Sequence, residues 1–395
     1  MSARRSWAAL LALCFGVAGA ADADAQAAPA SPGRLVIVGG ALARDNAEVY
    51  GAIVGGRSGD GPFCVVPTAG ADPAASMASA VETIAGYAGE GKVVGIALSL
   101  DDPSKADDPA MAAEIGRCSG FFFTGGVQSR VLDVFLPQGR QTEAYRALMR
   151  RWREGAVVSG SSAGAAMMSG VMISGGSSAG ALARGTSGSA PAQAGEEEGQ
   201  EGLTIERGMG FYPNALLDQH FLARGRIGRL LVAVLATDSV PVGFGIDENT
   251  ALVVEGDGAR VLGASGMVIV DGRQARRSSS TRGSGLRLAL AGTGDSVDLR
   301  TLEVRPGAGK APLPPTGGAL APPEDPFARF AFLQLLRDMA ASPADEATFR
   351  LGTATLTIRE APGFAASMRA TSGGVQGVPA GFSAGPFLVD LLPGG

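Results

Sequence analysis

One histidine in 395 residues, His220, narrows the chemistry at once, because any mechanism that needs an imidazole has a single candidate. A partner for it stands in Ala156-Val157-Val158-Ser159-Gly160-Ser161-Ser162-Ala163-Gly164-Ala165-Ala166. This is an apolar strand-like run, then Gly-x-Ser-x-Gly, then small residues able to begin a helix. A sharp strand-to-helix turn holds a serine exposed only if its neighbours are small, so Ser162 reads as a nucleophile. At such a helix start the N–H of Ala163 could point at a developing oxyanion. An alcohol nucleophile needs a base near neutral pH, and a neutral His220 within reach would supply it. In Leu216-Leu217-Asp218-Gln219-His220-Phe221 an apolar run delivers three polar side chains to what reads as a sheet edge facing a cleft. Arg224, Arg226 and Arg229 follow, either as a solvated helix face or as guanidinium groups that hold substrate carboxylates bidentately. An acid that orients the imidazole is offered by Gly245-Ile246-Asp247-Glu248-Asn249-Thr250, where Asp247 or Glu248 could serve. Gly176-Ser177-Ser178-Ala179-Gly180 repeats the Gly-x-Ser-x-Gly pattern. It follows Ser174-Gly175 rather than an apolar strand and leads into a Gly/Ser-rich loop, so Ser162 is the preferred nucleophile.

These side chains must be held by a scaffold, and from Gly33 to about Gly272 short apolar runs alternate with helical patterns. That alternation predicts an α/β domain with a mostly parallel central sheet flanked by helices. Strands are expected at Leu35–Val38, Phe63–Val66, Val93–Leu98, Phe121–Phe123 and Ala156–Val158. Between the last two, Tyr145, Leu148, Met149 and Trp152 recur at helical spacing behind Thr142, a good N-cap, with Glu143 in the first turn. Gly243–Ile246, Thr250–Val254, Arg260–Leu262 and Met267–Val270 read as antiparallel edge strands, with Gly256-Asp257-Gly258 as a turn. The α/β domain is drawn over 33–304, with a flexible Gly/Ser/Glu loop at 185–202. A Pro/Gly linker is expected at 305–324 and a small α+β C-terminal extension at 325–395. In that extension Asp325-Pro326 would cap a helix carrying Phe330, Leu333 and Leu336, followed by a β-rich run over Thr348–Ile358.

Residues 1–25 read as a secretory signal peptide: Arg4-Arg5, an apolar run from Trp7 to Val17, then small residues suited to cleavage. The run is too short for a membrane anchor, so an exported protein with no membrane association after cleavage is expected. Removal of this segment leaves Cys64 and Cys118, which could pair or remain two buried thiols in adjacent strands. One His and three Cys do not assemble an ordinary zinc site, and neither a metal nor a cofactor is expected. The net charge is -5 with no block of Lys and Arg, which argues against a nucleic-acid partner. With 46% apolar residues the chain can bury a core, and 60 glycines without a three-residue period point to tight loops, not collagen.

Several separate motifs, taken together and in order, resemble the cyanophycinases, serine peptidases related to aspartyl dipeptidases with the class I glutamine amidotransferase-like fold. They are Leu35-Val36-Ile37-Val38-Gly39-Gly40, Phe122-Phe123-Thr124-Gly125-Gly126-Val127-Gln128, Gly160-Ser161-Ser162-Ala163-Gly164-Ala165, Asp218-Gln219-His220-Phe221 with the three arginines, and Gly245-Ile246-Asp247-Glu248-Asn249-Thr250-Ala251-Leu252. The resemblance implies Ser162 as nucleophile, His220 as base and Glu248 as third member, with Asp247 as the fallback. It further implies a Gly125-Gly126 turn that joins Ala163 in an oxyanion hole. Gln128, Asp218, Gln219, Arg224, Arg226 and Arg229 would line the substrate pocket. The substrate implied is cyanophycin, a poly-aspartate backbone bearing arginine on each side-chain carboxylate, cleaved to β-Asp-Arg dipeptides. A dipeptidase for short isoaspartyl peptides and an inactive binding protein on the same fold are the alternatives, and folds of this type often pair as homodimers. Two departures are visible, Val127 where a polar residue is common and Ser161 where threonine is usual.

Overall fold

The computed structural model describes residues 32–187, 202–369, 374–375, 377–379 and 381–394. The expected signal peptide and most of the 185–202 loop lie outside the described residues. Four apolar runs, Leu35–Val38, Phe63–Val66, Gly120–Phe123 and Val157–Ser161, form the centre of a nine-stranded sheet. All four are parallel, and Val93–Gly95 adds a fifth parallel strand at one edge. They read as unbroken apolar runs because both faces are covered. Val36 and Val38 pack towards the helices Ala47–Gly55 and Pro73–Ala88. Leu35 and Ile37 pack with Ala144, Ala147 and Leu148 of the helix Glu143–Arg153 on the opposite side. That helix begins as its sequence predicts: Thr142 Oγ1 accepts from the N–H of Tyr145 at 3.2 Å, with Glu143 in the first turn and three arginines in the last. Cys64 and Cys118 are joined by a disulfide between the strand Phe63–Val66 and the entry to Gly120–Phe123, which settles the alternative left open by the sequence.

The antiparallel strands divide between two sheets. Thr250–Glu255 lies directly beside Leu35–Val38, followed outward by Gly258–Gly263, Ser296–Asp298 and Val304–Arg305. Val242–Ile246 instead belongs to a second sheet, parallel to Leu216–Asp218 on one side and antiparallel to Gly266–Asp271 on the other. Two of the four expected edge strands are thus interior to a sheet whose existence the local pattern does not announce.

The second sheet also corrects the expected extension. Arg282–Gly292 pairs with Ser383–Pro393, which pairs with Ala354–Arg369, so the C-terminal residues complete this sheet. The helix Ala331–Ala341 buries Phe332, Leu333, Leu336 and Met339 in the same cluster as Leu230, Val234, Leu288 and Val389. No division of the fold falls within the described residues. The helix starts at Ala331, five residues later than Asp325-Pro326 suggests. Asp325 accepts from the N–H of Phe327 at 2.8 Å in a local turn, and Phe330 precedes the helix in the left-handed conformation, φ 57°. Its N–H donates to the carbonyl of Leu222 at 2.9 Å, so tertiary docking overrides the local capping signal. Among the described residues no helix is long and apolar enough to cross a membrane.

Nor is 305–324 wholly a tether. Lys310–Pro312 pairs with Ser367–Arg369, and the Lys310 ammonium is fully buried against Asp295 and donates to Ser383 Oγ at 2.7 Å. Asp295 also accepts from the N–H groups of Gly292 and Gly307, both at 2.9 Å. Removing one partner of such a pair strands a buried charge. Lys310→Ala should therefore cost roughly 3–5 kcal/mol in urea denaturation. A loss within the range of ordinary surface substitutions, about 0.5 kcal/mol, would show that this segment does not pin the two regions together.

Candidate active site

The two glycines of the elbow are there for steric reasons. A Cβ at Gly160 would lie 2.3 Å from the carbonyl oxygen of Gly164, and one at Gly164 would lie 2.3 Å from that of Phe123. With both bare, the chain turns from the strand Val157–Ser161 into the helical turn Ala163–Ala166, with Ser162 between them at φ 56° and ψ -115°. The Ser162 N–H donates to the carbonyl of Val38 at 3.1 Å, and its carbonyl accepts from Ala165 and Ala166. A left-handed serine is costly, of order 1–3 kcal/mol, and survives where its surroundings over-determine it.

His220 follows the strand Leu216–Asp218 of the second sheet and is also left-handed, φ 48°. Its N–H donates to the carbonyl of Gly39 at 2.6 Å. The ring lies against Gly40, φ 107°, where a Cβ would meet Cε1 and Nε2 at 2.3 Å. Nε2 stands 2.9 Å from Ser162 Oγ, and Nδ1 stands 2.8 Å from Glu248 Oε1. Glu248 is set by its neighbour Asn249: the Asn249 N–H donates to the carbonyl of Gly40 at 2.8 Å, and its Oδ1 accepts from Asn46 Nδ2 at 2.8 Å and the Ala43 N–H at 3.0 Å. Burial pushes the His220 pKa down; Arg224 and Arg226 add to that, against the hydrogen bond from Glu248. For Glu248 burial works against ionisation, but the hydrogen bond with His220 and the charge of Arg329 outweigh it and lower the pKa. A neutral imidazole beside an ionised carboxylate can take a proton from Ser162 at Nε2 while Glu248 holds the Nδ1–H, the tautomer such a relay requires.

Asp247, the alternative acid, is elsewhere. It is fully buried and accepts from the N–H groups of Leu222 and Ala223 at 3.1 and 2.9 Å and from Ser265 Oγ at 2.7 Å. It anchors the loop that follows His220, because adjacent residues leaving a strand face opposite ways. Ser178 is likewise excluded: it is buried and donates to the carbonyl of Gly225 at 2.7 Å.

The expected pocket residues separate into three groups. Asp218, Arg226 and Arg229 are buried and hold one another instead of presenting themselves to a ligand. Arg229 grips Asp218 through two nitrogens, with Nε to Oδ2 at 2.8 Å, and donates to the carbonyl of Gly176 at 2.7 Å; Arg226 Nη1 donates to the carbonyl of Gln219 at 2.8 Å. Burial disfavours ionised Asp218, and the adjoining guanidinium groups reverse this and lower its pKa. Gln128 donates to the carbonyl of Ile173 at 3.0 Å, yet the Oε1 atoms of Gln128 and Gln219 are buried without a partner among the described residues. Buried acceptors are rarely left so. Only Arg224 is exposed. A Cβ on Gly125 would sit 3.3 Å from that of Ser162, so this turn faces the serine, and no hydrogen bond among the described residues uses the N–H groups of Gly125, Gly126 or Ala163. Among the described residues no group of three or more His, Cys, Asp and Glu is arranged to hold a metal. One contact lies beyond anything the sequence signals: Arg329 of the C-terminal region reaches Glu248 Oε2 at 3.5 Å.

The site thus aligns a serine at a strand-to-helix turn, an imidazole and a carboxylate on a partly parallel α/β sheet. By sequence the chain is similar, over part of its length, to cyanophycinases. It is 32% identical over 227 residues to the cyanophycinase of Synechococcus elongatus, covering 55% of this chain and 63% of that one. It is 34% identical over 176 residues to the cyanophycinase of Trichormus variabilis, covering 44% and 52%. The matches therefore span less than two thirds of these relatives. A peptidase from an acI-B1 Actinobacterium superposes with a TM-score of 0.45 at 19% identity, covering 62% of this chain and 93% of that one. No protein-family model matches the chain.

The ring contact at Gly40 is open to a direct test. Gly40→Ala should slow labelling of Ser162 by a fluorophosphonate by ~10²-fold, the scale of an ångström misplacement. Gly91→Ala, at a positive φ of 70° with nothing near its Cβ position, carries a similar backbone penalty and should label normally. Equal labelling of the two variants would show that the ring does not depend on Gly40.

Proposed function

We propose that this protein is an exported serine-type exopeptidase that hydrolyses cyanophycin to β-Asp-Arg dipeptides through an acyl-enzyme on Ser162. The observation that carries the reading is the unbroken chain Ser162 Oγ, His220 Nε2, His220 Nδ1 and Glu248 Oε1, linked at 2.9 and 2.8 Å. Similarity to cyanophycinases over part of the chain supports the substrate. The Arg4-Arg5 and apolar N-terminal pattern supports export, and the Cys64–Cys118 disulfide suits an oxidising compartment.

In this reading Ser162 Oγ attacks the backbone carbonyl of an aspartyl unit while His220 Nε2 takes its proton, and Glu248 stabilises the imidazolium that results. Charge developing on the carbonyl oxygen is met by the N–H groups of Ala163, Gly125 and Gly126, which no hydrogen bond among the described residues uses. His220 returns its proton to the leaving amine. Water, activated by the same imidazole, then releases the acyl group and restores the serine. The unpaired acceptors of Gln128 and Gln219 suit a substrate rich in N–H donors, as guanidinium groups are.

Mature protein should release β-Asp-Arg from insoluble cyanophycin, identified by mass, and Ser162→Ala should release none. Glu248→Gln should fold normally but lose ~10³–10⁴-fold in rate, as expected when the imidazole loses the acid that fixes its tautomer. Failure of the wild type on cyanophycin, with cleavage of short isoaspartyl peptides, would move the substrate class. The active form carries neutral His220, and burial holds its pKa below the ordinary value of about 6.5. The rate should accordingly rise with pH through a midpoint below 6.5 and level off above it. A midpoint above that value, or a flat profile from about pH 5 to 8, would remove His220 from the role of base.

A further inference from the structure

We propose that Arg329, delivered by the C-terminal segment, is a specificity-determining residue of this site that binds a carboxylate of the substrate together with Arg224. This rests on the reading that the reaction takes place at Ser162. The segment is docked on the loop that carries His220. The N–H of Phe330 donates to the carbonyl of Leu222, and the carbonyl of Phe327 fills the position a Cβ on Gly225 would take, 1.7 Å away. The ring of Phe327 packs against Gly228 in the same way. Arg329 projects from this anchor with its guanidinium 4.7 Å above the ring of Phe330, a platform that limits where the cation can go.

The contact with Glu248 is not what Arg329 is for. Glu248 Oε1 belongs to His220, and Arg329 meets the other oxygen by one nitrogen at 3.5 Å, with its side chain 59% exposed. Exposed, single-contact pairs contribute little to stability. A guanidinium has five N–H donors in a planar fork, so most of this one stays open to a ligand. Arg224, four residues after His220, is exposed, and its side chain makes no hydrogen bond or ion pair among the described residues. Arg329 stands beside Glu248 by direct contact, and Arg224 is tied to the same loop as His220, whose carbonyl accepts from the Arg224 N–H at 3.0 Å. Two guanidinium groups beside a single carboxylate leave the site short of one anion. A substrate carboxylate, recognised by the planar fork, supplies it. Backbone strain points the same way. Phe330 is left-handed, and of the seven non-glycine residues with positive φ among those described, Ala41, Ser162, His220, Asn249 and Phe330 all belong to the triad or adjoin its parts. Such strain persists where function holds it.

The test uses binding, which does not depend on turnover. In the full-length Ser162→Ala protein, calorimetry compares a β-Asp-Arg oligomer with free arginine carboxylates and the same oligomer with those carboxylates amidated. Adding Arg329→Ala should weaken the acid on the order of tenfold, about 1.4 kcal/mol, and leave the amide unchanged. Arg329→Lys, which keeps the charge but not the fork, should fall between. The melting temperature should not move, since the side chain is exposed. Equal weakening of acid and amide, no weakening of either, or failure of both ligands to bind would overturn the assignment. If Arg329 discriminates acid from amide while wild-type protein releases no dipeptide, the peptidase reading fails and the carboxylate site stands.

Discussion

The two sheets meet at Gly39-Gly40, and the triad exists because no side chain intrudes there. The first sheet ends Leu35–Val38 at this turn and places Ser162 one strand away; the second sheet brings up His220 from Leu216–Asp218 and Glu248 from Val242–Ile246. A Cβ at Gly39 would sit 2.0 Å from the carbonyl oxygen of Asp247, and one at Gly40 would enter the imidazole. The same turn is also the seam's hydrogen-bond partner: the carbonyl of Gly39 accepts from His220 and that of Gly40 from Asn249. A backbone approach this close is available to glycine alone. The acid's strand then continues through Asn249 into Thr250–Glu255, which pairs with Leu35–Val38 and ties the second sheet back to the first.

Around this seam the polar residues fall into two tasks. Ser162, His220 and Glu248 are aligned along one line of hydrogen bonds, with His220 buried between a partly accessible serine and a partly accessible carboxylate. Asp247, Asp218, Arg226 and Arg229 are buried and bond to backbone or to one another. Burying such charges confers no net stability compared with apolar packing, but it fixes geometry once each charge has its partner. Asp247 holds the loop after His220, and the Asp218–Arg229 pair holds the strand before it. Held at both ends, His220 can keep the left-handed backbone that turns its ring towards the serine.

What could be read from the residues follows from how local each determinant is. The parallel strands and the helix after Thr142 are written in periodicity and capping, and the structure places them where those patterns predict. The elbow was legible because its two glycines answer clashes with residues only four positions away or in the adjacent strand. The choice between Glu248 and Asp247 was not, since adjacent acids differ only in which way the strand end turns them. Chemistry type alone suggested that Asp218 and Arg229 meet a ligand. Their spacing of eleven residues gave no sign that the strand and the following helix close them on each other. The second sheet was the largest loss. Arg282–Gly292 finds its partner in Ser383–Pro393, about a hundred residues on, and no local pattern encodes such pairing.

That distant pairing changes what the C-terminal region is. A segment that completes the sheet whose strand Val242–Ile246 leads into Glu248 is bound into the same framework as the site, two strands away from it, and the route from Ser383–Pro393 to Phe330 runs through one continuous apolar cluster. The helix Ala331–Ala341 is fixed by that cluster, Phe330 is fixed by the helix and by the carbonyl of Leu222, and Arg329 is thereby held beside Glu248. The line of hydrogen bonds through Ser162, His220 and Glu248 is set by residues near the seam, whereas the Arg329 charge beside it is placed by a chain segment 81 residues after Glu248. Arg329 and the hydrogen-bonded line through His220 meet only at Glu248, one at each carboxylate oxygen, so a change at Arg329 leaves the His220–Glu248 hydrogen bond in place.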